Sequence, residues 1–428
     1  MRYCNIAHPD QRVSFPEAVL LGIGKGQGLF MPERLVPIPD VEGLLERDFV
    51  SRSAAILSHL AGPAVAEDDM SVMVREAFNF PLDLVHIGGG AHALELFHGT
   101  SLAFKDFGAR FMAQCLGRFH DGGPVTILTA TSGDTGAAVA QAFYGQPGIR
   151  VVVLYPHGRV TPLQEKLFCT LGGNITTFAV EDDFDACQAM VKQAFLDREL
   201  VEGLGLNSAN SINIARLVAQ VCYYFEAAAR LPRGTRPVFS VPSGNFGNVT
   251  AGLLGCAIGL PAKRMIAATN VNDTVPRFLA SGRWEPNPTV ATMTNAMDIS
   301  QPNNFIRVLD LEKRHGLDLQ TLLSSTSLDD AGTREAVRAL NADGYLADPH
   351  SALGWRALAD SLEEGETGVF LCTAHPAKFR EDIVDVLGID PELPGALREV
   401  EEREVLSELI SSDFREFRPR LLEANSEQ

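Results

Sequence analysis

Lys105 stands in the run HGTSLAFKDFGARFM, flanked by Phe104, Phe107 and Phe111. An ammonium withdrawn from water is costly, and burial among aromatic rings lowers a lysine's pKa. A lysine so placed is a nucleophile toward carbonyl carbon and a base near neutral pH. The same residues allow a plainer reading, a stem lying along apolar surface with its amine paired to Asp106 or Glu95. Other segments gather polar groups beside a helix start. In TATSGDTGAA, the apolar run Val125–Ala130 leads into Thr131, Ser132, Gly133, Asp134 and Thr135. Small residues at a helix N-terminus present N–H groups to a carboxylate or phosphate, or simply form a capped turn. In VPSGNFGNVTAG, Ser243, Gly244, Asn245, Phe246, Gly247 and Asn248 follow another apolar run. The glycines permit close backbone approach, and the hydroxyl, amide and N–H donors suit phosphate. In LNSANSINIARL, Ser208, Asn210 and Asn213 precede a helix carrying Arg216, a set that grips an anion or caps the helix. Thr373 and His375 end the run VFLCTAHPAKF, where a lone histidine reads as structural. No metal site is expected, since neither H-E-x-x-H nor grouped Cys/His spacing occurs.

These groups need strands to position them. Apolar runs that read as strands are Val125–Ala130, Arg150–Pro156, Asn174–Val180, Pro237–Pro242, Met265–Asn270 and Gly368–Ala374. Helical stretches such as INIARLVAQVCYYFEAAAR alternate with them, which predicts α/β architecture with parallel sheets covered on both faces. Ligands of such sheets bind at the carboxyl ends of strands, where the polar segments fall. The first ~85 residues read as a mostly helical N-terminal domain, opened by the capping box Ser14-Phe15-Pro16-Glu17. Gly22, Gly24, Gly26 and Gly28 then read as a turn-rich connection rather than a phosphate loop, because no strand leads into them. The charge-rich tail after Pro394 reads as a solvated helix.

Among the 428 residues, 36 Lys and Arg face 54 Asp and Glu, a formal net charge of −18. So acidic a surface repels phosphate backbones, so nucleic acid is not expected as a partner and an anionic substrate needs a local basic pocket. The seven cysteines form no C-x-x-C pair and fit a reducing compartment. The N-terminal residues lack the apolar core of a signal peptide, and no segment has the ~20 apolar residues of a membrane span. A cytoplasmic protein without membrane contact is expected.

Taken in order, HGTSLAFKDFGARFM, TATSGDTGAA, PLQEKLFCTLGGN, LNSANSINIARL, PSGNFGN, AATNVNDTVPRFL and TAHPAKF resemble the threonine synthases. These are pyridoxal 5′-phosphate enzymes of fold type II, the tryptophan synthase beta-like family. The resemblance runs from about Val13 to Phe379 and is weakest over 304–330 and after Pro394. It departs from many relatives at Thr100-Ser101 and at Asn248, where aspartate is frequent. The resemblance implies a Schiff base between Lys105 and the cofactor, whose phosphate lies in Ser243–Asn248 and whose pyridine nitrogen faces Thr373. Asp134 is implied at the cofactor O3′, with Thr131, Ser132 and Thr135 toward the substrate carboxylate. Ser208, Asn210 and Arg216 are implied at the substrate phosphate, with Lys166 beside them. The implied reaction converts O-phospho-L-homoserine and water to L-threonine and phosphate, on a monomer or homodimer. A large cofactor domain (86–120 and 216–428) is implied, with a small mobile one (121–215) closing over substrate. Serine/threonine dehydratase or phospho-amino-acid phospho-lyase chemistry would use the same lysine and loop, and a silent homologue would have no use for Lys105.

Overall fold

The computed structural model describes residues 1–120, 122–123 and 125–424; Asp121, first residue of the expected small domain, lies outside them. The N-terminal unit opens on the capping box as expected. The Glu17 amide donates to Ser14 Oγ at 3.4 Å and the Ser14 amide to Glu17 Oε2 at 2.6 Å, starting helix Phe15–Leu21. Helices Phe49–Ala61 and Glu67–Ala77 dominate this unit. It also carries an antiparallel sheet of Arg12–Val13, Tyr3–Asn5 and Phe30–Pro32, whose strands are too short to show a period of two. The glycine run is packed against this sheet: a Cβ on Gly28 would lie 1.8 Å from Asn5 Oδ1, and one on Gly24 2.5 Å from Asn5 Nδ2. Its turn geometry serves that packing.

Two sheets make the body of the molecule. The larger has the order Leu323–Ser327, Arg264–Thr269, Val238–Pro242, Gly368–Cys372, Ala91–Glu95, Asp83–Gly88. All its neighbours run parallel except the last pair. The smaller is wholly parallel, in the order Glu408–Ile410, Ile175–Val180, Ile149–Pro156, Val125–Ala130, Leu206–Asn207. All six apolar runs singled out in the sequence are strands, because strands covered on both faces must be apolar throughout. Helix Ile214–Arg230, buried from residue 214 to 228, packs against helices Lys105–Phe119 and Gly247–Ala257. It therefore joins the segment that carries Lys105 to the one that follows the SGNFGN turn.

The tail departs from the expected solvated helix. Helix Gly395–Glu401 buries Leu397 and Val400, and the chain then adds strand Glu408–Ile410 to the edge of the smaller sheet. Helix Phe414–Glu423 follows, burying Phe417 and Leu421. The charges of LREVEEREVLSEL mask these few apolar anchors. Residues 121–215 supply four strands of the smaller sheet and the tail supplies the fifth. Phe417 meets Phe178 edge-on at 5.6 Å between ring centroids. Phe417→Ala should cost about 3–5 kcal/mol and speed amide exchange in strand Ile175–Val180, as read by calorimetry and hydrogen exchange; an unchanged Tm would contradict this packing.

Candidate active site

Lys105 opens helix Lys105–Phe119, and the turn before it is stitched to the end of strand Gly368–Cys372. The Phe104 amide donates to the Thr373 carbonyl at 2.9 Å and the His375 amide to the Leu102 carbonyl at 3.0 Å. Asp106 Oδ2 accepts from the Ser101 amide at 2.9 Å. Gly99 is required here, since a Cβ would lie 2.3 Å from that carboxylate oxygen. Neither carboxylate weighed as a partner takes the Lys105 amine: Asp106 serves Ser101, and Glu95 accepts from His98 at 2.7 Å and Tyr345 at 2.8 Å. The amine lies 5.8 Å from the centroid of the Phe104 ring. Lys105 lines a cavity that it shares with the turns after the two sheets' strands. Burial pushes its pKa down to about 8, with Asp134 opposing and the like charges of Lys378 and Arg216 adding to the fall.

The SGNFGN turn forms the facing wall. Ser243 hangs from the Ala268 carbonyl through its amide at 2.8 Å, and the chain then enters helix Gly247–Ala257. The first N–H groups of that helix have no intrahelical partner and bear the positive end of its dipole. Phe246 takes a left-handed conformation (φ 59°), held by edge-on contact with Phe305 at 5.5 Å. Gly244 lies so close to the turn Asn295–Met297 that a Cβ would fall 2.6 Å from Met297 Cα. Asn248 Oδ1 accepts from the Tyr223 and Tyr224 hydroxyls at 2.6 and 2.7 Å, which leaves its Nδ2 buried and unpartnered. An aspartate here would accept the same two bonds but carry no amide donor.

Thr131, Ser132, Asp134 and Thr135 line the same cavity from the smaller sheet. Thr131 Oγ1 accepts from the Gly133 and Gly136 amides at 3.0 and 2.8 Å, so its hydroxyl shapes the turn. The Asp134 carboxylate meets Lys378 Nζ at 2.5 Å and accepts from Gln164 Nε2 at 2.9 Å. Burial alone would raise this carboxyl, but the charges of Lys378 and Lys105 prevail and hold it far below the usual range. Arg216 is buried with its Nη1 on the Ala209 carbonyl and its Nε unpartnered. Burial lowers its pKa to about 10, a value at which the guanidinium stays charged. Asn210 accepts from Thr129 Oγ1 and also lines the cavity.

Two residues expected here lie elsewhere. Lys166 donates to the Glu401 carbonyl and borders a separate cleft. It follows Gln164, the residue helix Pro162–Cys169 turns inward, by two positions, about 200° around the axis. Ser208 lines an adjoining cleft with Ile6 and Phe195, its hydroxyl accepting from the Asn210 amide at 3.3 Å. Conversely, Gln188, Gln220 and His350 line the Lys105 cavity without having been singled out. His350 lies behind the helix start Asp348-Pro349, with Nδ1 2.8 Å from Asp348 Oδ1 and Nε2 accepting from the Ala296 amide at 3.3 Å. A histidine within an Asp-Pro cap was the available signal. His375 accepts from the Ala377 amide at 3.2 Å, the structural role expected of it. Outside the cavity, ligand atoms of Asp83, Glu95 and His98 lie within 4.8 Å of one another. Their mutual contacts, with Tyr345 and Arg230, account for the group.

The family model described as pyridoxal-phosphate dependent enzyme matches residues 91–374, and the threonine synthase C-terminal model matches 351–418. Threonine synthase of Haemophilus influenzae is 54% identical over 426 residues, covering 99% of this chain and all of that one. The Escherichia coli K12 enzyme is 55% identical over 418 residues, 97% of each chain. Among solved structures, Escherichia coli threonine synthase superposes with a TM-score of 0.96 at 54% identity, covering 99% of this chain and 100% of that one. A pyridoxal-phosphate-bound threonine synthase of Brucella melitensis gives 0.92 at 31% identity, with both chains covered fully.

The enclosed Lys105 amine should react with an amine-directed reagent at a rate rising through pH about 8, against about 10.4 for an exposed lysine. Peptide-resolved labelling of the cofactor-free protein measures this, and a Lys105 midpoint equal to that of surface lysines would contradict the burial argument.

Proposed function

The chain belongs to the threonine synthase family of pyridoxal-phosphate dependent enzymes, and from that premise we propose how its own residues serve the conversion of O-phospho-L-homoserine and water to L-threonine and phosphate. The observation that carries the assignment is that Lys105, the start of helix Gly247–Ala257, Arg216 and Asn248 line one cavity. Such a cavity suits a molecule with an aldehyde at one end and a phosphate at the other. Lys105 would hold the aldehyde carbon, residues Ser243–Asn248 the phosphate, Thr373 the ring nitrogen and Asp134 the O3′ side. When bound, pyridoxal 5′-phosphate supplies a conjugated ring that takes up the charge left by proton removal.

The chain's groups supply the rest. Lys105 would also serve as the base for the substrate's α-proton, since its lowered pKa keeps enough of the amine neutral to accept a proton near pH 7–8. Arg216 lines the cavity, buried and charged, which supports a role as anchor of the substrate phosphate. Asn210 adds an amide on the same side, while Ser132 and Thr135 offer hydroxyls toward the carboxylate. Ser208 and Lys166 are left out of this arrangement by their positions. Closure of the unit built on the smaller sheet would exclude bulk water from the reacting atoms. Among the described residues no helix is long and apolar enough to cross a membrane. All seven cysteines are unpaired, which supports the cytoplasm as the place of reaction.

Phosphate release from O-phospho-L-homoserine, with cofactor supplied, tests the assignment. Lys105→Ala should lower the rate by about 10²–10⁴-fold, and a rate equal to wild type would remove Lys105 from the chemistry. Arg216→Ala leaves the substrate's phosphate without its buried partner and should reduce kcat/KM by a factor corresponding to about 2–5 kcal/mol. A loss equal to that for turnover of unphosphorylated serine or threonine would instead favour dehydratase chemistry.

A further inference from the structure

Lys378 follows the strand that ends at Cys372, in the short turn Pro376–Phe379, and is 1% exposed. A buried ammonium must be compensated, and this one reaches two elements of different parentage. Its Nζ meets Asp134 Oδ1 at 2.5 Å, on the helix that rises from the smaller sheet. The same Nζ donates at 2.8 Å to the Ser101 carbonyl, in the turn that presents Lys105. The Lys378 carbonyl accepts at 3.0 Å from Thr161 Oγ1, the residue that caps helix Pro162–Cys169. That helix returns Gln164 to Asp134, which closes the ring of contacts. Ion pairs of this sort contribute little to stability compared with apolar residues of the same volume, so stability does not account for one placed here.

We propose that Lys378 is a positioning residue for the reaction: amine and carbonyl together clasp the unit carrying Asp134 and Thr161 to the Lys105 turn, and so set where residues 131–135 stand over Lys105. The proposal rests on the reading of Lys105 as the cofactor lysine for its meaning, though not for its geometry. Electrostatics agree with it. Lys378 repels a charged Lys105 while Asp134 attracts it, and Arg216 adds to the repulsion. His350 also acts on Asp134 from the facing wall. Loss of the Lys378 charge leaves Asp134 uncompensated and favours the protonated Lys105.

The test uses cofactor-free full-length chain, so it can be read even if pyridoxal phosphate uptake fails in the wild type. In Lys378→Met, amide exchange in helices Asp134–Phe143 and Pro162–Cys169 should rise about 10- to 100-fold, the range for loss of a buried charge-assisted hydrogen bond. Exchange in strand Val238–Pro242 should not change, and the pH midpoint for labelling Lys105 should move upward. Lys378→Arg, which keeps the charge and can donate to both oxygens, should return both readouts toward wild type. If Lys378→Met does not fold, Lys378→Gln carries the same midpoint test, because its amide keeps a donor without the charge. An unmoved midpoint with unchanged exchange overturns the proposal, as does exchange that rises equally across both sheets.

Discussion

An amine has to be kept out of bulk water while remaining open to a cavity, and much of this molecule is arranged to meet that demand. Lys105 sits at the first position of its helix, where it has no preceding turn to shield it. The surrounding protein does so instead: Phe104 beneath the amine, the Thr373–His375 segment beside it and the Asp134 helix above. Without that burial almost none of the amine would be neutral near pH 7–8, and it would be a poor nucleophile and base. The enclosure in turn requires the carboxyl ends of both parallel sheets to meet at one place.

The anion-binding parts follow from the same meeting. Helix Ile214–Arg230 packs against helices Lys105–Phe119 and Gly247–Ala257, capped by Asn213, whose side chain accepts from the Ala215 amide at 3.1 Å. The cap fixes where Arg216 emerges. Ser211, just before it, accepts from Asn245 Nδ2 at 2.9 Å and Asn304 Nδ2 at 3.0 Å. The loop proposed for the substrate's phosphate and the loop proposed for the cofactor's are thus tied by a direct hydrogen bond and through Asn304. Arg307 strengthens this tie from below. Its guanidinium is fully buried and donates to the Ser211, Ile212 and Phe30 carbonyls, which also anchors the N-terminal unit.

Much of this was legible in the residues. The buried strands were visible as apolar runs, and the polar turns at their ends marked the site. Strand Leu323–Ser327 was hidden because it forms a sheet edge and reads LSSTS, with no apolar alternation. Strand Ala91–Glu95 lacks β-branched residues, and Leu206–Asn207 and Glu408–Ile410 are too short to carry a pattern. Local motifs picked out Lys105 and the Ser243–Asn248 turn, which line one cavity. They did not give His350 or Lys378, whose significance depends on partners supplied by distant segments. Lys166 illustrates the converse: it belongs to a matching motif, yet the helical phase of that motif sends Gln164 inward and Lys166 away.

The central claim is that one particular amine of this chain bonds to pyridoxal 5′-phosphate. Incubation with the cofactor, reduction with borohydride and mass mapping of peptides tests it most directly. The account predicts a single stoichiometric phosphopyridoxyl group on Lys105. A label carried by Lys378 or Lys166, or spread over surface lysines, would contradict it.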